Sequence, residues 1–410
     1  MLTFKLAFRN LFRNTRRTIL TSVLISASLI VLILVDGLML GMTNVMIGGI
    51  THTLEGEAQV VRKGFRNNFE VEYTIDDPTS VINQIENSKA VEGYGPRVII
   101  GGMIASSYNT TGSLVYGVDA QQELSVSRIS EAVIEGRYLS GGSREILIGK
   151  PMADLLEVKL GDRLIITAAT VDTNEITQEL FRLSGIFEFG PEEMDKNLVF
   201  INLDKAQSVL GMKGNLHQIA VRFIDPEDAK NPELPLFKQL TNEENEALGW
   251  LNLQPSIGAM IEMSSYATAI VGTILFLLTS LGVINSMFMS IYERIYEFGV
   301  AKAIGTTPWQ IIQLVLFEAL LLALISCAFG LTLGYLLGDY FSINGIPMGK
   351  MEVSGVLLDG NLYTQLALYQ FVNFPIYVTL LTLAAAIYPA TFASRIVPTE
   401  ALQRALRIYS

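Results

Sequence analysis

The chain has 410 residues, 50% hydrophobic and only 17% charged, with a mean hydropathy of +0.39, more apolar matter than an ordinary soluble enzyme of this length carries. Its 29 basic and 40 acidic residues leave a formal charge of −11, the wrong sign for a chain whose main partner is nucleic acid. One cysteine, Cys327, permits no intrachain disulfide, and two histidines, His52 and His217, are too few for a zinc constellation, so neither a metal site nor a resident cofactor is expected.

Residues 1–17 carry Lys5, Arg9, Arg13, Arg16 and Arg17 and no acid. An apolar run follows, uncharged from Thr18 to Val35 and continuing past Asp36 to about Gly48. It exceeds the roughly 7 to 15 apolar residues of a signal peptide and has no small-x-small cleavage site behind it, so 18–48 reads as a first transmembrane helix. Residues 49–262 hold 18 basic and 32 acidic residues and read as a folded mixed α/β domain. Within it, Asp77-Pro78 ahead of Val81, Ile82 and Ile85 reads as a capped helix start. Val98–Ile100, Ser113–Val118, Arg163–Ala168, Phe181–Phe187 and Leu198–Ile201 read as strands, with Gly161-Asp162 and Gly185 as turns between them. Met152–Leu156 and Asp204–Leu210 read as short helices, and Asp225–Pro235 as a surface loop.

Three further spans complete the pattern: 263–292, 313–338 and 372–394, joined by a loop at 293–312 and a segment at 339–371. The tail 395–410 adds Arg395, Arg404 and Arg407 against Glu400. Basic flanks at both ends and an acidic 49–262 place both termini in the cytoplasm and the large domain outside. The fold class is therefore an α-helical integral membrane protein of four transmembrane helices with a large mixed α/β extracytoplasmic domain between the first and second. Little cytoplasmic mass remains, so chemistry that drives the protein from inside is expected from a partner.

Leu139-Ser140-Gly141-Gly142 copies the core of the ABC ATPase signature, whose amides hold phosphate. It lies in the outside domain, and the one Gly-Lys pair, Gly149-Lys150, has Arg144 where a Walker A loop needs its first glycine. A turn between two strands is the better reading. In the spans, Asp36 falls near the outer interface and reads as an anchor or interhelix partner. Glu318 falls near the inner one, within reach of a basic residue of the 293–312 loop. That loop runs Glu293-Arg294-Ile295-Tyr296-Glu297-Phe298-Gly299-Val300-Ala301-Lys302-Ala303-Ile304-Gly305-Thr306-Thr307-Pro308. Glu293 and Glu297 share a helix face, Gly305 reads as a stop, and Thr307-Pro308 as the cap and first residue of the next helix. A short docking helix from about Tyr292 to Ile304 is expected.

The run Glu293–Gly305 resembles the E-R-x-x-E-I-G-x-x-R-A-I-G element of the MacB, FtsX and lipoprotein-releasing LolC/LolE superfamily of ABC permeases, with Phe298 for the usual Ile and Lys302 for the usual Arg. Glu318 matches the acidic residue that follows. Leu6–Leu11 with Arg13-Asn14 and Arg16–Thr18 resembles the family's amphipathic N-terminus. Pro389, Ala393, Arg395, Pro398, Glu400, Ala401 and Leu402 resemble its closing pattern, and Glu135–Arg137, Glu145–Gly149 and Leu160–Asp162 resemble its outside domain.

The resemblance implies a permease in the bacterial inner membrane, itself no enzyme, paired with a cytoplasmic ABC ATPase dimer that binds ATP and Mg, and with a second permease subunit, identical or homologous. The first helices continue outward as a stalk, and a β-rich insertion falls at about 116–200. Glu293, Arg294, Glu297, Gly299, Lys302, Gly305 and Pro308 are the expected ATPase-coupling residues. The layout implies release or export of a lipoprotein or other lipid-like cargo, with an extracytoplasmic carrier or acceptor. The alternative is an FtsX-like permease that activates an outside enzyme and moves no cargo.

Overall fold

The computed structural model describes residues 2–171, 175–212, 214–349, 351–353, 356–358 and 360–397. Pro398, Glu400, Ala401, Leu402, Arg404 and Arg407, read above from the tail, lie outside them, as does the His52 side chain. The chain divides into a membrane unit of 1–43, 261–348 and 360–410 and an outer unit of 44–260 and 349–359. Helices α1 (Leu2–Arg13) and α2 (Thr15–Ile50) open the chain. The outer unit contributes α3 (Phe65–Asn68), α4 (Pro78–Glu86), α5 (Lys150–Leu156), α6 (Glu192–Asn197), α7 (Leu203–Leu210), α8 (Pro235–Leu240) and α9 (Trp250–Leu253). Then come α10 (Pro255–Glu293), α11 (Ile295–Ala303), α12 (Pro308–Asn344) and α13 (Leu368–Ser394).

Four of these helices, α2, α10, α12 and α13, are long and apolar enough to cross a membrane. Within the membrane unit, α2 is the shared neighbour. Its Thr21 hydroxyl donates to Ser286 at 2.7 Å and its Ser28 hydroxyl lies 2.6 Å from that of Thr279, both on α10. On its other side, the Ser26 hydroxyl donates to the Ser326 carbonyl at 2.8 Å, while Leu29 and Ile33 fill the space that side chains at Gly330 and Gly334 of α12 would need. Small residues and hydroxyls do this work because lipid tails are as apolar as leucine, leaving close packing and interhelix hydrogen bonds to hold spans together. α13 runs through Pro375 and Pro389 without ending. It starts four residues before the expected span because Gln370 Oε1 accepts the Ala367 N–H at 3.1 Å.

Ten strands between residues 44 and 260 form one sheet in the outer unit: β1 (Ala58–Arg62), β2 (Val91–Ala105), β3 (Thr110–Val118), β4 (Val133–Gly136), β5 (Glu145–Gly149), β6 (Arg163–Ala169), β7 (Ile176–Phe187), β8 (Leu198–Asn202), β9 (Gln218–Phe223) and β10 (Asn245–Gly249). Ladder pairing runs β2-β3-β8-β5-β7-β6 and returns to β2, closing a barrel-like circuit. The long strand β2 serves two assemblies. Its first half pairs β9, and through it β1 and β10, while its second half joins the circuit. Where the halves meet, Arg97 is fully buried and forks onto an equally buried Glu123, Nε to Oε2 at 3.0 Å and Nη2 to Oε1 at 2.6 Å.

Two local expectations need correction. Gly185 is no turn: it sits inside β7, where a Cβ would lie 2.5 Å from the Arg137 carbonyl and 2.8 Å from Leu147, so a glycine permits the close approach and the irregular register beside it. The segment 225–235 is not all loop. Pro226–Lys230 forms a 3-10 turn that the Asp225 side chain caps through the Glu227 N–H at 3.0 Å, and it buries Ala229.

His217 is buried, stacked on Phe65 at 5.2 Å. Nδ1 accepts the Ile99 N–H at 2.9 Å, and Nε2 donates to the Val71 carbonyl at 2.9 Å. Burial pushes its pKa below the ordinary value. The folded state therefore favours neutral imidazole, and its contribution to stability is present above about pH 6.5 and lost as pH falls from there toward the folded pKa. Thermal melts of the full chain at pH 7.5 and 5.5 are expected to show the outer domain weakened at the lower pH, and less so in His217→Gln. An equal drop in both proteins would assign the effect to carboxylates instead.

Candidate functional site

The loop between the second and third spans is a helix tied down on every inward side. α10 stops at Glu293, Arg294 leaves helical geometry, and α11 begins one residue later. It ends where Gly305 turns to φ +103°, its N–H on the Lys302 carbonyl at 3.1 Å. Thr307 then caps α12: its hydroxyl accepts the Gln310 N–H at 3.4 Å while Gln310 Oε1 accepts the Thr307 N–H at 2.9 Å, with Pro308 as the first helical residue.

Arg294, 6% exposed, is turned inward rather than toward a partner. Its Nη1 donates to Glu318 Oε1 at 2.7 Å, its Nε to Glu297 Oε2 at 3.2 Å, and its guanidinium sits 5.1 Å over the Phe298 ring. Glu318, 5% exposed on α12, also accepts from Asn10 Nδ2 of α1 at 2.6 Å. This joins three elements at one carboxylate oxygen, with Arg294 as the basic residue of the loop that pairs Glu318. Gly299 is buried as well. Glu297 accepts from Arg13 at 2.8 Å; burial raises its pKa, but the hydrogen bonds from Arg13 and Arg294 outweigh that and hold it below the usual carboxylate range. Glu293 is bound by Arg17 at 2.9 Å and by Asn14, and Arg17 also reaches the Ser290 hydroxyl at 3.0 Å. Lys302 donates to the Ser394 and Ile396 carbonyls, 2.9 Å each, capping the end of α13.

Glu293 and Glu297 stay partly exposed although each is paired within the chain, and beside them the segment presents exposed apolar side chains. Tyr296 (51% exposed) and Val300 stand one turn apart on α11, with Tyr292 (53%) at the end of α10, Ile304 (81%) at the cap of α11 and Trp309 exposed just beyond. Sequence reasoning weighted the charged residues and missed these side chains, although their spacing was there to be counted.

At the other end of the membrane unit, Asp36 accepts from Gln370 Nε2 at 2.7 Å and from the Tyr369 hydroxyl, an interhelix partner for α13. Beside it the Gln365 N–H donates to the Gly37 carbonyl at 2.9 Å. The Leu139–Gly142 stretch lies between β4 and β5. Glu145 accepts both the Ser140 N–H at 2.7 Å and its hydroxyl at 2.8 Å, so the amide that a phosphate would need is taken. Among the described residues no group of three or more His, Cys, Asp or Glu side chains is placed to hold a metal.

Four spans, with a large α/β domain between the first and second along the chain and a pinned loop helix between the second and third, define a permease-type membrane subunit with a large extracytoplasmic domain. Residues 18–231, more than half the chain, match the MacB-like periplasmic core domain, and residues 269–398 match the FtsX-like permease C-terminal domain. The chain belongs to the MacB/FtsX/LolC-LolE superfamily of ABC transporter permeases. It is 23% identical over 314 residues to the lipoprotein-releasing system transmembrane protein LolC of Xylella fastidiosa (strain Temecula1), covering 71% of this chain and 73% of that one. It is 19% identical over 400 residues to the LolC protein of Neisseria meningitidis serogroup B, covering 92% and 94%. The solved periplasmic region of MacB from Actinobacillus actinomycetemcomitans overlays 50% of this chain and 94% of its own at 11% identity, with a TM-score of 0.36.

Proposed function

We propose that this permease docks a separate cytoplasmic ABC ATPase dimer, which holds ATP and Mg, on the outward face of α11. ATP-driven closure there would move the outer domain to release or export a lipoprotein or another lipid-like cargo. The observation that carries the reading is the exposed pair Tyr296 and Val300 on α11, flanked by Tyr292 at the end of α10 and Ile304 just past α11, on a segment whose other side is bound to α1, α12 and α13. An apolar surface with aromatic anchors suits a groove in a protein partner. The inward bonds suit force transfer, since a push on α11 reaches the other helices through contacts already made. Glu293, Glu297 and Lys302 thereby act by holding α11 to its own chain, Arg294 and Gly299 by shaping its buried side, and Gly305 and Pro308 by setting the turn into α12. Similarity to LolC supports a lipid-modified cargo and an extracytoplasmic acceptor for it.

Tyr296→Asp and Ile304→Asp test the docking. Each is expected to reduce capture of the co-expressed ATPase by about 30-fold or more, as loss of an interface anchor does, while far-UV helicity and melting of the permease stay unchanged. ATPase capture at the wild-type level would place these side chains against lipid and sink the assignment. Cargo release from vesicles, measured beside ATPase stimulation, then decides whether the motion transports.

A further inference from the structure

The sheet of the outer unit ends at β10, whose free edge is closed only in part. In an antiparallel pair, successive residues turn their N–H and C=O alternately toward the partner strand and away from it. The Lys63 N–H donates to the Glu244 carbonyl at 2.8 Å and the Trp250 N–H to the Glu57 carbonyl at 3.0 Å, which assigns the even-numbered residues of β10 to β1. Asn245, Ala247 and Gly249 therefore point outward. Asn242 takes both groups of Asn245: its Oδ1 accepts the Asn245 N–H at 2.7 Å and its N–H donates to the Asn245 carbonyl at 3.0 Å. The Thr241 hydroxyl accepts the Ala247 N–H at 3.1 Å. Such side chains blunt an edge against pairing, yet the Ala247 carbonyl and the Gly249 N–H have no hydrogen bond among the described residues. Both residues line a cavity of about 520 Å³ walled by Ala229, Pro232, Phe237 and Leu251, and its two lysines, Lys230 and Lys238, are ion-paired to Glu227 and Glu233. A Cβ added at Gly249 would point to that side, 2.1 Å from the Ala229 carbonyl oxygen and 3.7 Å from the Phe237 ring.

We propose that this edge takes an extended peptide segment of another extracytoplasmic protein, added to β10 as a further strand with apolar side chains in the cavity. The occupant follows from the geometry. An acceptor and a donor two residues apart on one strand edge match the N–H and C=O groups of an extended backbone, run in either direction. An acyl chain offers neither group. Side chains of the added strand that lie opposite Ala247 and Gly249 stand on the cavity side. A second copy of β10 would place only its own alanine and glycine there and leave the cavity unfilled. With both lysines already paired, uncharged side chains are the complement. The site is remote in sequence from α11, so the claim is independent of ATPase docking.

The probe is a fluorescein-labelled peptide of seven residues, capped at both ends, with valine third and fifth and threonine elsewhere. It is titrated against the full-length protein in detergent and followed by anisotropy. Saturable binding is expected. N-methylation of one amide, that of the central threonine or that of the valine after it, should weaken binding roughly tenfold, and methylation of the other should leave it unchanged. The sensitive position reports the direction of the added strand: the threonine if it runs parallel to β10, the valine if antiparallel. Leu251→Glu, which places a charge in the cavity wall, should weaken the unmethylated peptide by a similar factor while the thermal melt of the outer domain holds. An equal response to the two methylations, undiminished binding in Leu251→Glu, or no saturation by about 1 mM peptide overturns the proposal. Self-association of the chain that Leu251→Glu abolishes would assign the edge to a second copy and overturn it as well.

Discussion

Glu318→Leu is expected to destabilise the membrane unit by about 3 kcal/mol, because it takes the buried carboxylate from the Arg294 guanidinium and leaves it only the half-exposed Glu297 at 3.2 Å. The side chains of both partners are only 7% exposed, so water cannot take over the lost interaction. Asn10 loses its acceptor in the same step, which loosens α1 from α12. Arg294→Leu alone should cost a similar amount by stranding the opposite charge. The double variant should recover most of the loss, since two apolar side chains in place of a buried pair are often neutral or better. Unfolding in a detergent titration measures all four proteins. Single variants within about 1 kcal/mol of wild type would mean that the pair is hydrated in the membrane. ATPase stimulation should fall in the singles too, because α11 loses its inner anchor.

Gly41→Ala should be the most damaging small substitution in α2. A Cβ there would stand 1.9 Å from the Tyr363 carbonyl oxygen, a backbone atom that no rotamer change can move. Relief requires displacing residues 363–367, which breaks the Gln365 N–H bond to Gly37 and loosens the Tyr369 and Gln370 contacts to Asp36. A cost of about 2–3 kcal/mol is expected, at the upper end for overpacking. Gly48→Ala on the same helix is the control: nothing lies within 4 Å of its added carbon, so it should be neutral or stabilise by up to about 1 kcal/mol through helix propensity. Equal melting of the two variants would show that the 363–367 segment does not sit against α2.

The sequence by itself determined the four spans, their orientation and the helix start at Asp77-Pro78. Hydropathy over about 20 residues, charge in flanking segments and capping chemistry are all local quantities. The stop at Gly305 and the cap at Thr307-Pro308 were legible for the same reason, since a turn is built from its own residues. A basic partner in the loop was already expected for Glu318; the tertiary structure selected Arg294 for it and decided where the other charges are spent. Arg294 and Glu318 are 24 residues apart and Arg13 and Glu297 are 284 apart, and a charged residue looks the same in sequence whether it faces a partner protein or its own chain. The closed circuit of strands escaped notice because pairing depends on register between distant segments: β2 meets both β3, next in sequence, and β9, far beyond it. Gly185 shows the limit most plainly. Glycine marks either a turn or a close approach, and only the position of the Arg137 carbonyl selects between them.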